Sequence, residues 1–229
     1  MKNHSLTLLG IVLFCLFCFG FKAQARDWSE FDQTVGLSIE TAYGKSVCSG
    51  TLISSRVVLT AAHCLIGWKQ IQVSNDFLMN PLSFVSAIRT EIHPDYKGND
   101  LGKTIDLGLV FLSQNLDWSD EKFFWGEEAE LTKLERIGFG GRNGENRRTW
   151  VEMTLNTDLG IYFEAIDEYG MSGDSGGPVF QRVSYHQSSE LRLIGIHTGR
   201  KLDRDRYLLP ISLIQRISSR ELAWIESWL

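Results

Sequence analysis

Residues 173–178 read Gly-Asp-Ser-Gly-Gly-Pro and place a serine between glycines in a tight turn. A serine in such a glycine-rich turn presents its hydroxyl beside backbone N–H groups, but the hydroxyl needs a base to become a nucleophile. Two upstream stretches contain the missing partners: Thr-Ala-Ala-His-Cys at residues 60–64 and Thr-Ile-Asp-Leu-Gly-Leu at residues 104–109. The order His, Asp, Ser is one of the chain orders that build a Ser-His-Asp triad.

Many short apolar segments separated by turn residues make up most of the chain. Short strands at close spacing predict an all-β sandwich or barrel. The predicted strands are residues 46–53, 56–60, 71–73, 84–88, 107–112, 150–155, 178–180 and 191–197. Helical periodicity occurs only at the end, where Ser218 and Glu221 form a capping-box pattern that predicts an amphipathic helix over Ser219–Leu229.

The first 25 residues have the pattern of a secretory signal peptide. Lys2 precedes the apolar run Leu6–Phe21, and Ala-Gln-Ala at residues 23–25 forms an A-x-A cleavage site. A retained membrane anchor is the alternative, although about 20 apolar residues are needed to span a bilayer. We predict cleavage after Ala25, which gives a secreted chain of residues 26–229 in the periplasm or the external medium.

The charge of the chain limits its partners. The formal net charge is −5, and removing residues 1–25 takes away two lysines and no acid, which leaves about −7. This balance argues against nucleic acid or an anionic membrane as the main partner. The spacings of a metal site are absent from the sequence, and no cofactor is expected. The length suits one compact unit, for which an arrangement of two small lobes is one option. We expect this unit to be a monomer.

Two of the four cysteines leave with the predicted signal peptide, and Cys48 and Cys64 remain. An even pair in an exported chain predicts a disulfide, whereas two free buried thiols are the alternative. A loop of this size would stabilise the fold by about 3 kcal/mol in the chain-entropy model.

The three motifs, in this order, resemble those of the chymotrypsin/trypsin family of serine endopeptidases. Residues 37–39 and 48–53, His93-Pro94 and Trp224-Ile225 extend the resemblance over most of the mature chain. It implies two six-stranded Greek-key β-barrels with a C-terminal helix and an active site between them. The first barrel is expected at about residues 26–120 and the second at about 121–229, with the crossing near Trp118–Glu130. The resemblance also implies the Cys48–Cys64 pairing.

The family resemblance implies a role for each motif residue. Ser175 is the nucleophile, His63 takes and returns its proton, and Asp106 holds the imidazole tautomer. The backbone N–H groups of Gly173 and Ser175 form the oxyanion hole, because glycine permits the conformation that turns its N–H inward. The implied activity is hydrolysis of protein or peptide substrates through an acyl-enzyme.

Asp174 is a charged residue beside the nucleophile and needs a cationic partner when buried. Digestive members of the family supply a new amino terminus, but the matching position here falls inside the predicted signal peptide. Some bacterial members use an internal arginine, and Arg136 stands at that place before Ile-Gly-Phe-Gly (residues 137–140). We predict an Arg136–Asp174 ion pair, with a solvated Arg136 as the alternative.

The specificity residues are expected in two segments. Tyr169 stands six residues before the nucleophile, where trypsin-like members place an aspartate. On the opposite wall lie His197, Thr198, Gly199 and Arg200, and the Gly-Ile-His sequence at 195–197 resembles glutamate-specific bacterial members. This resemblance implies a preference for an acidic residue before the scissile bond. A core histidine and a rim arginine are the alternative.

Thr198 and its neighbours are also expected to contact the catalytic residues and the substrate. Thr198 is predicted to donate a hydrogen bond to Asp106. The residues beside Thr198 are predicted to pair with the substrate backbone as an added strand.

The predicted protein is a secreted, chymotrypsin-like serine endopeptidase. The main alternative is a catalytically silent or occluded binding protein on the same fold. An esterase is a third interpretation, but its nucleophile lies in a Gly-x-Ser-x-Gly elbow with the histidine after the serine, and the order here contradicts that.

Overall fold

The computed structural model describes residues 28–76, 78–98, 104–117, 124–126, 133–141, 147–160, 162–166, 170–185, 188–203 and 209–229. The strands in this part of the chain are β1 Thr34–Thr41, β2 Gly44–Ser54, β3 Val57–Thr60, β4 Trp68–Ser74, β5 Val85–Ile92, β6 Gly108–Leu112, β7 Phe124–Trp125, β8 Lys133–Gly138, β9 Thr149–Asp158, β10 Tyr162–Ile166, β11 Pro178–Tyr185, β12 Ser188–Asp203 and β13 Leu209–Arg216. Short 3-10 helices span Trp28–Phe31, Ala62–Leu65 and Pro81–Ser83, and one α-helix, α1, spans Ser219–Glu226.

The first six strands close into a barrel in the order β1-β2-β3-β6-β5-β4, with every neighbouring pair antiparallel. The closure follows from the side chains, because strands rich in Val, Leu and Ile bury one face inside the barrel. β3 is buried along its whole length, since both its faces are covered. β3 pairs with β6 so that Thr60 lies opposite Gly108.

The second barrel has the strand order β11-β8-β9-β10-β13-β12, and the antiparallel pairing of β11 with β12 closes it. β7 adds a short parallel strand at the outer edge of β12, where Trp125 pairs with Leu193. The prediction of two six-stranded barrels followed by a C-terminal helix is therefore confirmed.

The predicted boundaries differ from the observed ones in two places. Helix α1 begins at the predicted Ser218 capping box but ends at Glu226, because Ser227 caps the chain with a hydrogen bond from its hydroxyl to the Trp224 carbonyl. Of the predicted crossing segment Trp118–Glu130, only residues 124–126 are described, and they contain β7. The predicted signal peptide lies outside the described residues.

The two barrels pack against each other through apolar and polar contacts. Ile137 and Phe180 of the second barrel belong to the same buried cluster as the core of the first. The buried guanidinium of Arg148 donates from Nη2 to the carbonyl oxygens of Thr34 (3.0 Å) and Asn75 (2.5 Å). These contacts fix the position of the second barrel relative to the first.

Helix α1 crosses back onto the first barrel. The ring of Trp224 lies 4.8 Å from that of His93, and Arg220 forms an ion pair with Asp95. His93 is buried, and this burial lowers its pKa. Its Nδ1 accepts a hydrogen bond from the N–H of Asp95 at 3.2 Å, which suits a neutral ring. The helix thus supports the loop that precedes Asp106. No described helix has the length and apolar character needed to cross a membrane.

Candidate active site

His63 and Asp106 lie side by side at the edge of the first barrel. His63 is in the 3-10 helix after β3, Asp106 lies just before β6, and the pairing of these two strands brings the residues together. His63 Nδ1 is 2.7 Å from Asp106 Oδ2, and the His63 backbone N–H donates to Oδ1 at 2.9 Å. A carboxylate only accepts hydrogen bonds, so Nδ1 carries the proton and Nε2 remains an acceptor.

The Asp106 carboxylate is almost completely buried, at 1% exposure. Its own backbone N–H donates to Oε1 of buried Gln215 on β13 at 2.9 Å, so both barrels hold this residue. Burial, and then the charge of Asp106, raise the pKa of the neighbouring Tyr96, which keeps that phenol protonated. No local pattern in the sequence marks Gln215, because its contact joins residues far apart in the chain.

The predicted hydrogen bond from Thr198 to Asp106 is wrong. The Thr198 hydroxyl donates instead to the carbonyl oxygen of Leu213 at 3.2 Å. The reason is local: the register of β12 against β13 shifts between His197 and Gly199, and this irregularity turns Thr198 toward β13.

Cys48 and Cys64 form the predicted disulfide, with an S–S distance of 2.01 Å. It joins β2 to the 3-10 helix that carries His63. Cys64 Sγ lies 3.7 Å from His63 Nε2 and 3.8 Å from the carbonyl oxygen of Ser175. The disulfide therefore contacts His63 from the first barrel and Ser175 from the second. Cys48, His63 and Cys64 place three potential ligand atoms within 4.8 Å, but disulfide sulfurs offer no thiolate to a metal.

Ser175 lies in a tight turn before β11 and is partly exposed. Gly173 and Gly176 have φ angles of 102° and 83°, a region that favours glycine. A Cβ at Gly176 would lie 2.1 Å from Thr60 Oγ1 and 2.3 Å from the Ser49 carbonyl oxygen. The glycines are therefore required both by the backbone conformation and by the close approach of the first barrel.

The peptide groups of the turn point in defined directions. The Ser172 carbonyl accepts from the N–H of Gly141 at 3.2 Å, and the Asp174 carbonyl accepts from the N–H of Gly177 at 3.0 Å. Because a trans peptide holds its C=O and N–H in opposite directions, the N–H groups of Gly173 and Ser175 point away from these partners. Among the described residues, neither N–H has a hydrogen-bond partner. Two donors beside one serine can stabilise a developing oxyanion.

The Asp174 side chain is completely buried behind this turn, and its charge is compensated there. Arg136 Nη1 lies 2.7 Å from Oδ2, and both side chains have 0% exposure. The carboxylate also accepts from the backbone N–H groups of Gly140 (2.8 Å) and Met171 (2.7 Å). A Cβ at Gly138, the last residue of β8, or at Gly140 would lie 2.3 or 2.4 Å from Asp174 Oδ1, which explains why both positions are glycines.

Removing one member of a buried ion pair leaves the other charge without compensation, which costs about 3–5 kcal/mol. We expect Arg136→Met to lower the free energy of unfolding by about this amount and to reduce activity. Lys133→Met on the same strand is the matched control, because Lys133 pairs with Glu152 on the exposed surface and should change stability by less than about 0.5 kcal/mol. Denaturant unfolding measures both, and equal stabilities for the two variants would contradict the expectation.

The predicted specificity residues occupy different environments. His197 is buried at 2% exposure, with Nε2 3.1 Å from the Ser212 hydroxyl, and its backbone pairs with Gly176 and Gly177. Arg200 is exposed and donates to the carbonyl oxygen of Gly170. Gly199, between them, is partly buried. Tyr169 lies outside the described residues.

Comparisons with known proteins agree with this architecture. Residues 19–123 match the Trypsin family model, a range that contains His63 and Asp106. Serine protease 28 of Mus musculus is 34% identical over 73 residues, which are 29% of this chain and 26% of that protein. Trypsin theta of Drosophila melanogaster is 30% identical over 105 residues, or 42% of this chain and 39% of that protein. Trypsin of Sus scrofa is 34% identical over 73 residues, 31% of each.

These matches and the two-barrel fold confirm the resemblance to the trypsin family of serine proteases. The aligned part of the chain spans only 26–39% of the length of these three relatives.

Proposed function

We propose that the protein is a secreted serine endopeptidase that hydrolyses peptide bonds in proteins or peptides. The observation that carries the proposal is the 2.7 Å contact between His63 Nδ1 and the buried carboxylate of Asp106. Cys64 Sγ lies 3.7 Å from His63 Nε2 and 3.8 Å from the Ser175 carbonyl oxygen, which brings the turn of Ser175 near this pair. The disulfide supports an oxidising compartment, either periplasm or external medium. Residues 1–25 are proposed as the signal peptide and residues 26–229 as a monomeric peptidase domain.

The first half of the proposed reaction forms an acyl-enzyme. Ser175 Oγ attacks the carbonyl carbon of the scissile bond while His63 Nε2 takes the hydroxyl proton. The carbonyl oxygen becomes an oxyanion that accepts hydrogen bonds from the N–H groups of Gly173 and Ser175. His63 then gives its proton to the leaving amine, and the C–N bond breaks.

The second half reverses these roles with water. His63 takes a proton from a water molecule, whose oxygen attacks the ester carbon, and then returns a proton to Ser175 Oγ as the acid product leaves. Asp106 remains ionised throughout and stabilises the imidazolium. The Arg136–Asp174 pair holds the turn in place, so that activity requires no new amino terminus.

A preference for an acidic residue before the scissile bond is the finer part of the proposal. Arg200 supplies the positive charge, because its side chain is exposed and reaches the 170–175 turn through the Gly170 carbonyl. His197 is assigned a supporting role, since its imidazole is buried behind that wall. Thr198 and Gly199 belong to β12, and the backbone of β12 at these residues is proposed to pair with the substrate backbone as an added strand.

A peptide-library digest tests both parts. The purified protein is incubated with a diverse set of peptides, and every cut is read by mass spectrometry. Cuts after Glu or Asp that disappear with Ser175→Ala support the whole proposal. Cuts after Lys or Arg only would overturn the acidic preference and keep the peptidase. Absence of any Ser175-dependent cut would favour the silent binding protein.

A further inference from the structure

Ser49 of β2 is fully buried at the junction between the first barrel and the nucleophile turn. Its backbone N–H donates to the Ser175 carbonyl oxygen at 2.7 Å. Its hydroxyl donates to the Gly173 carbonyl oxygen at 2.7 Å and accepts from the N–H of Phe139 at 2.7 Å. Its own carbonyl oxygen accepts from the Thr60 hydroxyl at 2.7 Å. Every polar group of this residue is therefore paired across segments.

We propose that the Ser49 hydroxyl positions the two oxyanion-binding N–H groups, and this inference rests on the proposed peptidase function. The Ser175 N–H lies in a peptide group whose two neighbours along the chain both form hydrogen bonds with Ser49. The Ser49 hydroxyl bonds to the carbonyl oxygen of Gly173, and the Ser49 backbone N–H bonds to the carbonyl oxygen of Ser175. Because peptide groups are planar, holding both neighbours leaves the intervening peptide little freedom to rotate.

Gly173 needs hydrogen bonds from other segments to hold its backbone conformation. At φ 102° this residue has no side chain to restrict its backbone, and glycine populates many other conformations at little cost. The hydroxyl bond to its carbonyl fixes the plane that follows Gly173. The bond from Gly141 to Ser172 fixes the plane that precedes it. The Ser49 hydroxyl therefore holds one of the two peptide planes that meet at Gly173, and its loss would leave the backbone angles of this residue less restrained.

The hydroxyl also connects the turn to the strand that carries its ion-pair partner. Phe139, whose N–H donates to Ser49 Oγ, lies between Gly138 and Gly140, the two glycines that pack under the Asp174 carboxylate. The Ser49 hydroxyl can bond to both segments because it donates to the Gly173 carbonyl oxygen and accepts from the Phe139 N–H. Alanine leaves the Gly173 carbonyl and the Phe139 N–H buried without this partner.

The test is Ser49→Ala, with Ser74→Ala as the matched control. Ser74 is equally buried and its hydroxyl is also bonded, to Ser83 Oγ at 2.5 Å and to the Asp76 N–H at 3.0 Å, but it lies away from the turn. Kinetic constants are measured on a peptide that the wild-type protein cleaves. We expect Ser49→Ala to lower kcat by about 10- to 100-fold with little change in KM, somewhat less than loss of an oxyanion donor. Ser74→Ala should leave kcat within about twofold.

Two further measurements separate positioning from general destabilisation. The affinity for a peptidyl boronic acid, which forms a tetrahedral adduct, should fall in Ser49→Ala in proportion to kcat. Amide hydrogen exchange over residues 171–177 should accelerate in Ser49→Ala but not in Ser74→Ala.

The outcomes are distinguishable. A Ser49→Ala variant with unchanged kcat, unchanged boronate affinity or unchanged exchange overturns the inference. A wild-type protein that cleaves nothing refutes the proposed function, and hydrogen exchange alone then decides whether Ser49 holds the turn.

Discussion

Replacing Ser175 with alanine is expected to lower kcat by about a million-fold, as for loss of the nucleophile in Ser-His-Asp enzymes. The turn itself should survive, because its hydrogen bonds are made by backbone groups: the Ser175 carbonyl accepts from Ser49, and Gly176 donates to His197. The loss is therefore chemical rather than structural. Progress curves on a cleavable peptide measure the rate, and denaturant unfolding checks that stability is unchanged.

Ser172→Ala is the matched control for this variant. Ser172 lies in the same turn, is exposed, and contributes its backbone carbonyl to the bond from Gly141. Its replacement should leave kcat within about twofold. Residual activity in Ser175→Ala close to that of Ser172→Ala would show that Ser175 is not the nucleophile.

Asp106→Asn is expected to lower kcat by about ten thousand-fold with little change in fold. In the wild-type protein, Asp106 Oδ1 accepts a hydrogen bond from the His63 backbone N–H, and the asparagine carbonyl oxygen can still accept this bond. The asparagine amide group then takes the place of Oδ2 and faces His63 Nδ1. An amide N–H donates, so Nδ1 must become an acceptor and the proton moves to Nε2. The imidazole then has the tautomer that cannot take the proton of Ser175.

Asp95→Asn provides the comparison. Asp95 lies in the same loop, is partly exposed and pairs with Arg220 on the surface, where an ion pair contributes little. Its replacement should change kcat by less than about threefold. A rate for Asp106→Asn within tenfold of the Asp95→Asn rate would contradict the role assigned to Asp106.

The two barrels could be predicted from the sequence because their strands are short, apolar and bounded by turn residues, and because the family motifs order them. All eight predicted strand segments lie within or overlap observed strands. β1, β7, β8, β10 and β13 have no counterpart among the predicted strands. In β10 and β13, the segments Tyr-Phe-Glu-Ala-Ile and Leu-Pro-Ile-Ser-Leu have no clear alternation or turn signal on both sides. Their strand conformation comes from pairing with each other and with β9 and β12.

Some residues of the candidate site could be predicted from the sequence, and others could not. His63, Asp106 and Ser175 follow from motifs that are local in sequence, and the Arg136–Asp174 contact follows from the resemblance. Gln215 and Ser49 act through contacts with residues distant in the chain, and no local pattern marks them. Thr198 was placed wrongly because a register shift in β12 turns its side chain, and such an irregularity has no signature in the residues themselves.

The most direct test of the central claim is labelling of the purified protein with a fluorophosphonate, followed by tandem mass spectrometry. An activated serine displaces the fluoride and forms a phosphonyl ester, whereas an ordinary hydroxyl reacts far more slowly. We predict one adduct, on Ser175, that is lost in His63→Ala and retained in Ser172→Ala. No adduct on Ser175, or equal labelling of the wild-type protein and His63→Ala, would contradict the claim that His63 and Asp106 activate this serine.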